Sequence, residues 1–170
     1  MLANVVFWIF FAFVMVFGFV VVRGAPYVPS QRRHIRKAFT ELYPLSSSDT
    51  VVDVGSGDGV VLRVASRFGA RGVGYELNPV LVWVSFFLSI GYRRIVTVLA
   101  DFWRVPLPDD TTVVYVFMIS RMARRMERKI QSEANRLGRP LAVIAYGIPF
   151  QKRQPEKTMD AYFLYRFYPD

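Results

Sequence analysis

The segment "TVVDVGSGDGVV", residues 50–61, restricts the fold more than any other part of the chain. An apolar run of strand length breaks into glycines at 55, 57 and 59 and then turns apolar again. The pattern predicts a buried strand, a tight turn and the opening of a helix. A turn of this kind brings backbone N–H groups close to any ligand above the strand end. The alternation continues downstream. "RGVGYEL" reads as a second strand and "NPVLVWVSFFLSIG" as a second helix; "RIVTVLAD" and "TTVVYVFMI" follow as strands. "SRMARRMERKIQSEANRLG" reads as a helix ending at Gly138, "PLAVIAYG" as a fifth strand and "AYFLYRFY" as a last one. Strands separated by helices predict an α/β fold with a largely parallel sheet and right-handed crossovers. Only one strand is clear after residue 150, so six or seven strands are expected.

The chain before this domain is of a different character. Residues 2–22, "LANVVFWIFFAFVMVFGFVVV", carry no charge and are interrupted only by Asn4 and Gly18. As a helix rising about 1.5 Å per residue they would extend about 31 Å, the thickness of a hydrocarbon core. A cleaved leader would want a basic start, a shorter apolar stretch and a small-residue cleavage site, none of which is present. Residues 1–23 are therefore expected to be a single transmembrane anchor. Arg23, Arg32, Arg33, Arg36 and Lys37 all follow it, which by the positive-inside rule puts the folded part in the cytoplasm. Residues 24–49 supply the Pro-rich connector "RGAPYVPS" and an amphipathic helix over about 31–43, capped by Ser30, with Ile35, Ala38, Phe39 and Leu42 on its apolar face. Residues 50–170 form the α/β domain.

With no cysteine in the chain, disulfides, thiolate metal sites and cysteine nucleophiles are excluded. The single histidine, His34, sits in the basic run "QRRHIRKAF" and reads as a solvated surface residue, so no metal is expected. The net charge of +9 calls for an anionic partner, and the apolar N-terminal segment favours a membrane surface over nucleic acid. Arg121, Arg124, Arg125 and Arg128 share one helix face, suited either to solvent or to the anionic inner leaflet.

The charges around the glycines narrow the ligand. A dinucleotide fingerprint would have its third glycine at 60, where Val60 stands, and Asp58 at the mouth of the helix would repel a pyrophosphate. Glu76 ends the second strand 21 positions after Gly55, where an acidic side chain accepts both hydroxyls of a ribose. Asp101 ends the third strand, placed to accept an adenine amino group while Phe102 or Trp103 lies against the ring. With Asp53 at the end of the first strand, these carboxylates suit an adenosine with a cationic tail, S-adenosylmethionine. Each residue has a plainer role open to it: Asp58 as an N-cap, Glu76 and Asn78 as turn formers before Pro79, Asp101 as a solvated strand end.

"DVGSGDG", "GVGYELNPVLVWVS" and "ADFW", with "PYVPS" upstream, resemble the class I methyltransferases. More narrowly, residues 24–118 resemble the small membrane-anchored protein-lysine methyltransferases of the ATP synthase c subunit and the ADP/ATP carrier. The resemblance implies a Rossmann-like sheet with its last strand antiparallel. It puts Asp53, Gly55 and Gly57 on the methionine part of the cofactor, Glu76 on the ribose and Asp101 on the adenine. Ser56, Asp58, Asn78 and Phe102 complete the candidate cofactor set. It also implies that the segment Pro26 to Pro29 shapes the active site. The chain departs from this family at "SRMARRMERK" and in its short C-terminus. Tyr27, Trp103, Tyr146 and Phe150 are candidate walls of an acceptor channel, with core or rim packing as their plainer role, and no dedicated catalytic base is evident. The loop "MISRMA" lacks the Asn/Asp-Pro-Pro-aromatic pattern of enzymes that methylate nucleic-acid bases. The expected activity is lysine methylation of a membrane protein; methylation of a lipid, quinone or other small amphiphile, and a non-catalytic nucleotide-binding scaffold, are the competing readings.

Overall fold

The computed structural model of the protein describes residues 4–8, 10, 11, 14, 15 and 31–170. Seven strands form one sheet: β1 (Thr50–Val54), β2 (Arg71–Glu76), β3 (Ile95–Leu99), β4 (Val113–Met118), β5 (Leu141–Gly147), β6 (Lys157–Met159) and β7 (Tyr162–Phe167). Their spatial order is β3-β2-β1-β4-β5-β7-β6. The first five run parallel, with Asp53 paired to Gly74 on one side and Tyr115 on the other. β7 is antiparallel to β5, and β6 is antiparallel to β7. The expected alternative of six strands is thus resolved at seven. The strand that the sequence does not reveal, β6, has only three residues and turns into β7 at Asp160, whose φ is 52°. So short a run shows no alternation to read.

β1, β4 and β5 lie centrally and are buried on both faces, which is why they read as nearly continuous apolar runs. On one face, α1 (Arg32–Lys37), the turn after it and α2 (Val60–Ser66) bring Ile35, Phe39, Val61 and Val64 against Val51, Val113 and Tyr115. α1 does not stop at Lys37 but widens into a π-helical turn, Ala38–Leu42, where Thr40 Oγ1 donates to the carbonyls of Arg36 and Lys37. Its N-cap position is Gln31, without a side-chain cap, and the expected capping residue, Ser30, lies outside the described residues. α3 (Pro79–Leu88) leads from β2 to β3, held by Ser85 Oγ against Thr97 Oγ1 at 2.7 Å. On the opposite face α4 (Ser120–Leu137) buries Ala123, Met126, Ile130 and Ala134, and Gly138 ends it at φ 63°.

The expected transmembrane span falls largely outside the described residues, as do the Pro-rich connector and Tyr27. Residues 4–8, 10, 11, 14 and 15 are helical, with Val5, Phe7, Trp8, Phe10 and Phe11 exposed. Among the described residues no helix is long and apolar enough to cross a membrane.

Candidate active site

The glycine turn leaves β1 at the carboxyl edge of the sheet and is fastened to β2. The N–H groups of Gly55 and Ser56 both donate to the Tyr75 carbonyl, at 2.9 and 3.1 Å. Gly57 N–H donates to Glu76 Oε2 and Asn78 N–H to Oε1, both at 2.8 Å. Glu76, 6% exposed, is therefore a brace that holds the turn and the entry to α3 together before any ligand arrives. Asn78 caps α3 by accepting from Val80 N–H at 2.9 Å. Its Nδ2 is buried without a partner, and so is Ser56 Oγ. Buried polar atoms without partners are costly; Ser56 Oγ is packed against Gly74 of β2, which leaves Asn78 Nδ2 as the one of the two to which a ligand could supply the missing bond.

The turn also leaves room. Gly55 has a φ of +73°, and a Cβ built on it would meet no atom within 4 Å. Asp53, 3% exposed, is the penultimate residue of β1, two positions before Gly55. Burial, and then the charges of Glu76 and Asp58, push its carboxyl well above the usual range. A cation arriving there would relieve both effects.

Asp58 is placed differently from the simple expectation. Its Oδ1 accepts from Val60 N–H at 3.2 Å, capping α2, and its Oδ2 pairs with Arg63 at 3.0 Å. Arg63 is buried and also reaches the Asp58 carbonyl. The electrostatic case against a dinucleotide is weakened accordingly, because this carboxylate is already paired with a cation. Arg63 is absent from the candidate residues, although a lone charge in the apolar helix "VVLRVAS" requires a partner and Asp58 is the nearest carboxylate in sequence.

Asp101 lies beyond β3, the strand next to β2, so the candidate carboxylates sit on three adjacent strand ends. Its Oδ1 accepts from Trp103 N–H at 3.1 Å and its Oδ2 lies 3.4 Å from Arg104 Nε. Phe102 is buried, 6.2 Å from Tyr75 and 5.4 Å from Trp103 between ring centres. Trp103 is the half-buried member of the pair, with the Arg125 guanidinium 4.3 Å from its ring centre. Tyr146, near the end of β5, stacks on Tyr162 at 4.5 Å and lies 5.6 Å from Phe117. Phe150 is 3% exposed, packs edge-on to Tyr165 and Phe167, and donates its N–H to the Tyr165 hydroxyl at 3.0 Å. The structure thus joins Asp53, the glycine turn, Glu76 and Asn78 into one unit with Asp101 alongside, and sets Phe102 and Phe150 in the core. Among the described residues no cluster of His, Asp and Glu could hold a metal ion.

Open space over Gly55, the unpartnered Asn78 Nδ2 and a buried carboxylate lacking a cation fit S-adenosylmethionine. The sheet order and the glycine turn at its carboxyl edge define a Rossmann-like α/β domain. The chain belongs to the family described as the ANTKMT methyltransferase domain, whose model matches residues 53–157. It is 34% identical to the lysine N-methyltransferase of the ATP synthase c subunit from Xenopus laevis, over 77% of this chain and 57% of that one. With the adenine nucleotide translocase lysine N-methyltransferase of Mus musculus the identity is 32%, over 64% of this chain and 48% of that one. The chain thus spans about half the length of these curated relatives. Among solved structures, an RNA methyltransferase from Salinibacter ruber in complex with S-adenosyl-L-homocysteine superposes with a TM-score of 0.74 at 23% identity, covering 84% of this chain and 95% of that one. At that identity the likeness concerns the fold.

Proposed function

We propose that the chain is a membrane-anchored methyltransferase that transfers a methyl group from S-adenosylmethionine to a lysine of a membrane protein. The observation that carries the reading is the braced carboxylate rim: Asp53 without a cation, Asn78 Nδ2 without a partner, and open space over Gly55. The two kinds of relative, named for lysines of the ATP synthase c subunit and of the adenine nucleotide translocase, support lysine in a membrane protein as the acceptor. The uncharged segment 2–22 supports the anchor, and the basic residues after it support a cytoplasmic domain.

Bound at this rim, the cofactor would supply a methyl on a positive sulfur, to be taken in line by a neutral amine with the neutral thioether S-adenosylhomocysteine as leaving group. Asp53, once ionised, pairs with the ammonium of the methionine part. Glu76, already held by two N–H groups, has lone pairs left for ribose hydroxyls, and Asp101 accepts the adenine amino group. The chain's remaining tasks are alignment and exclusion of water. A lysine must arrive neutral, and with an unperturbed pKa near 10.4 its deprotonation at pH 7 costs about 4.6 kcal/mol. Aromatic walls at Trp103 and Tyr146, with Phe150 packed in the core, disfavour the ammonium by desolvation. The Arg125 guanidinium over Trp103 disfavours it further by charge.

Mass spectrometry of membrane proteins from cells with and without the gene tests the assignment. Lysines carrying one to three methyl groups only when the gene is present are the expected result. Unchanged lysines beside an altered lipid or quinone profile would move the acceptor to a small amphiphile.

A further inference from the structure

Helix α3 turns its apolar side to solvent. The residue it buries completely is Ser85, while Trp83 is 63% exposed, Phe87 60%, and Ile90, just past its end, 67%. Trp83, Phe86 and Phe87 touch one another, with ring centres 5.6 to 6.3 Å apart, so they form one aromatic patch. On β3, the edge strand of the sheet, Leu99 is exposed on the face that Thr97 turns to α3, while Val96 and Val98 are exposed on the other face. The connection from β3 to β4 contains no helix, which leaves this edge bare among the described residues. A groove of about 410 Å³ opens between Phe86, Ile90, Tyr92 and Val96. A helix that is apolar all round is ordinarily covered on every side, and an apolar surface of this extent marks a contact site.

Charge identifies the occupant. From residue 77 to residue 100 there is no carboxylate, and the only charged residues are Arg93 and Arg94, both exposed beside Ile90. Aromatic side chains flanked by arginine are the composition of a surface that sits in a bilayer interface. A second copy of the chain would bring the same arginines, and a net charge of +9, against their own kind. An anionic leaflet has the opposite charge and an apolar interior.

We propose that the flank formed by α3 and β3 docks the domain onto an anionic bilayer. Trp83, Phe86, Phe87 and Ile90 enter the acyl region and Arg93 lies at the headgroups, while Arg94 adds positive charge from where its Nη1 is held by the carbonyls of Ser47 and Gly69. The inference rests on the anchored reading only for what brings the bilayer within reach; the contact itself is separate. It bears on the cofactor site because α3 starts at Asn78, whose N–H holds Glu76.

The chain has three tryptophans, so Trp8→Phe with Trp103→Phe leaves Trp83 as the only one. Mixed with vesicles of phosphatidylcholine and phosphatidylglycerol, this full-length chain is expected to float with the lipid. Its emission shifts to shorter wavelength and loses most of its intensity when the acyl chains are brominated, less so on phosphatidylcholine alone. Flotation with unquenched Trp83 overturns the docking while leaving the anchor standing. A blue shift without quenching by bromine overturns it in favour of cover by protein, whether a second copy, a partner or the chain's own N-terminal segment. A chain that does not float overturns both. Hydrogen exchange on the unsubstituted chain repeats the test without the substitutions: α3 amides must gain protection when anionic vesicles are added, and unchanged exchange refutes the contact.

Discussion

Asp53 faces the charges of Glu76 and Asp58 from a site almost without solvent. Burial first, and then those two carboxylates, raise its folded-state pKa well above the unfolded value of about 3.9. Between the two values the folded chain holds more protons than the unfolded one. Stability of the cofactor-free protein therefore falls as pH rises through that window. Asp53→Asn removes this dependence. The substituted chain is expected to be more stable than the parent at neutral pH and to bind S-adenosylmethionine about 10- to 100-fold more weakly, the loss of one charge-assisted hydrogen bond. Denaturation across pH and titration calorimetry measure the two effects, and calorimetry in buffers of different ionisation enthalpy should register proton release on binding. Asp53, Glu76 and Asp101 are legible as candidates because strand ends can be read from periodicity. The pairing of Asp58 with Arg63 is not, because it depends on the direction an arginine takes from an apolar helix. Phe102 and Phe150 carry the same lesson, since a loop aromatic gives no sign of whether it faces the core.

Gly74 lets β2 pass directly under the glycine turn. A Cβ there would run into the Ser56 hydroxyl, stand 2.6 Å from Ser56 Cβ and 2.9 Å from Leu62 Cδ1. Two elements, the turn and α2, would have to shift to admit it. Gly74→Ala is expected to cost about 1–3 kcal/mol in urea denaturation, the range for an overpacked interior. It should also weaken cofactor binding, because Ser56 is displaced; an unchanged affinity would show that the turn tolerates the shift. At this scale the sequence reveals elements with a strong period and hides the others. β1, β4 and β5 stand out as apolar runs, and α4 as an amphipathic helix closed by Gly138. The π-helical turn at Ala38–Leu42 leaves no such mark, since its apolar residues also suit an ordinary helix. α3 is legible as a helix, but its uniformly apolar composition gives no way to tell its packed face from its exposed one.

Across the whole molecule, the crossover from β3 to β4 carries Asp101 and Trp103 yet has no helix of its own to stiffen it. Its rigidity comes from α4 through Glu133, a buried carboxylate whose Oε2 accepts from Leu107 N–H at 3.1 Å. Lys129 and Arg136 each pair with Glu133 at 2.8 Å, and Lys129 Nζ also reaches the Val105 carbonyl at 2.7 Å. Burial alone would raise the Glu133 pKa, but the hydrogen bonds from Lys129, Arg136 and Leu107 outweigh it and hold the carboxyl below its usual range. A folded-state pKa below the unfolded one gives stability that is complete above the unfolded value, about 4.3, and lost as pH falls through the folded value. Glu133→Gln keeps the shape and removes the charge. It should cost about 1–3 kcal/mol at neutral pH, as buried donors lose their acceptor, and the gap to the parent should close in acid, where the parent's carboxylate is protonated. Because the loosened segment is the one that carries Asp101, the proposed adenine acceptor, cofactor affinity should fall in the same variant. Asp109→Asn, which touches only the exposed end of the network through Arg136, should leave both stability and affinity close to the parent's. A Glu133→Gln chain that loses stability equally at every pH would mean that shape, not charge, fastens this side of the site to the rest of the fold.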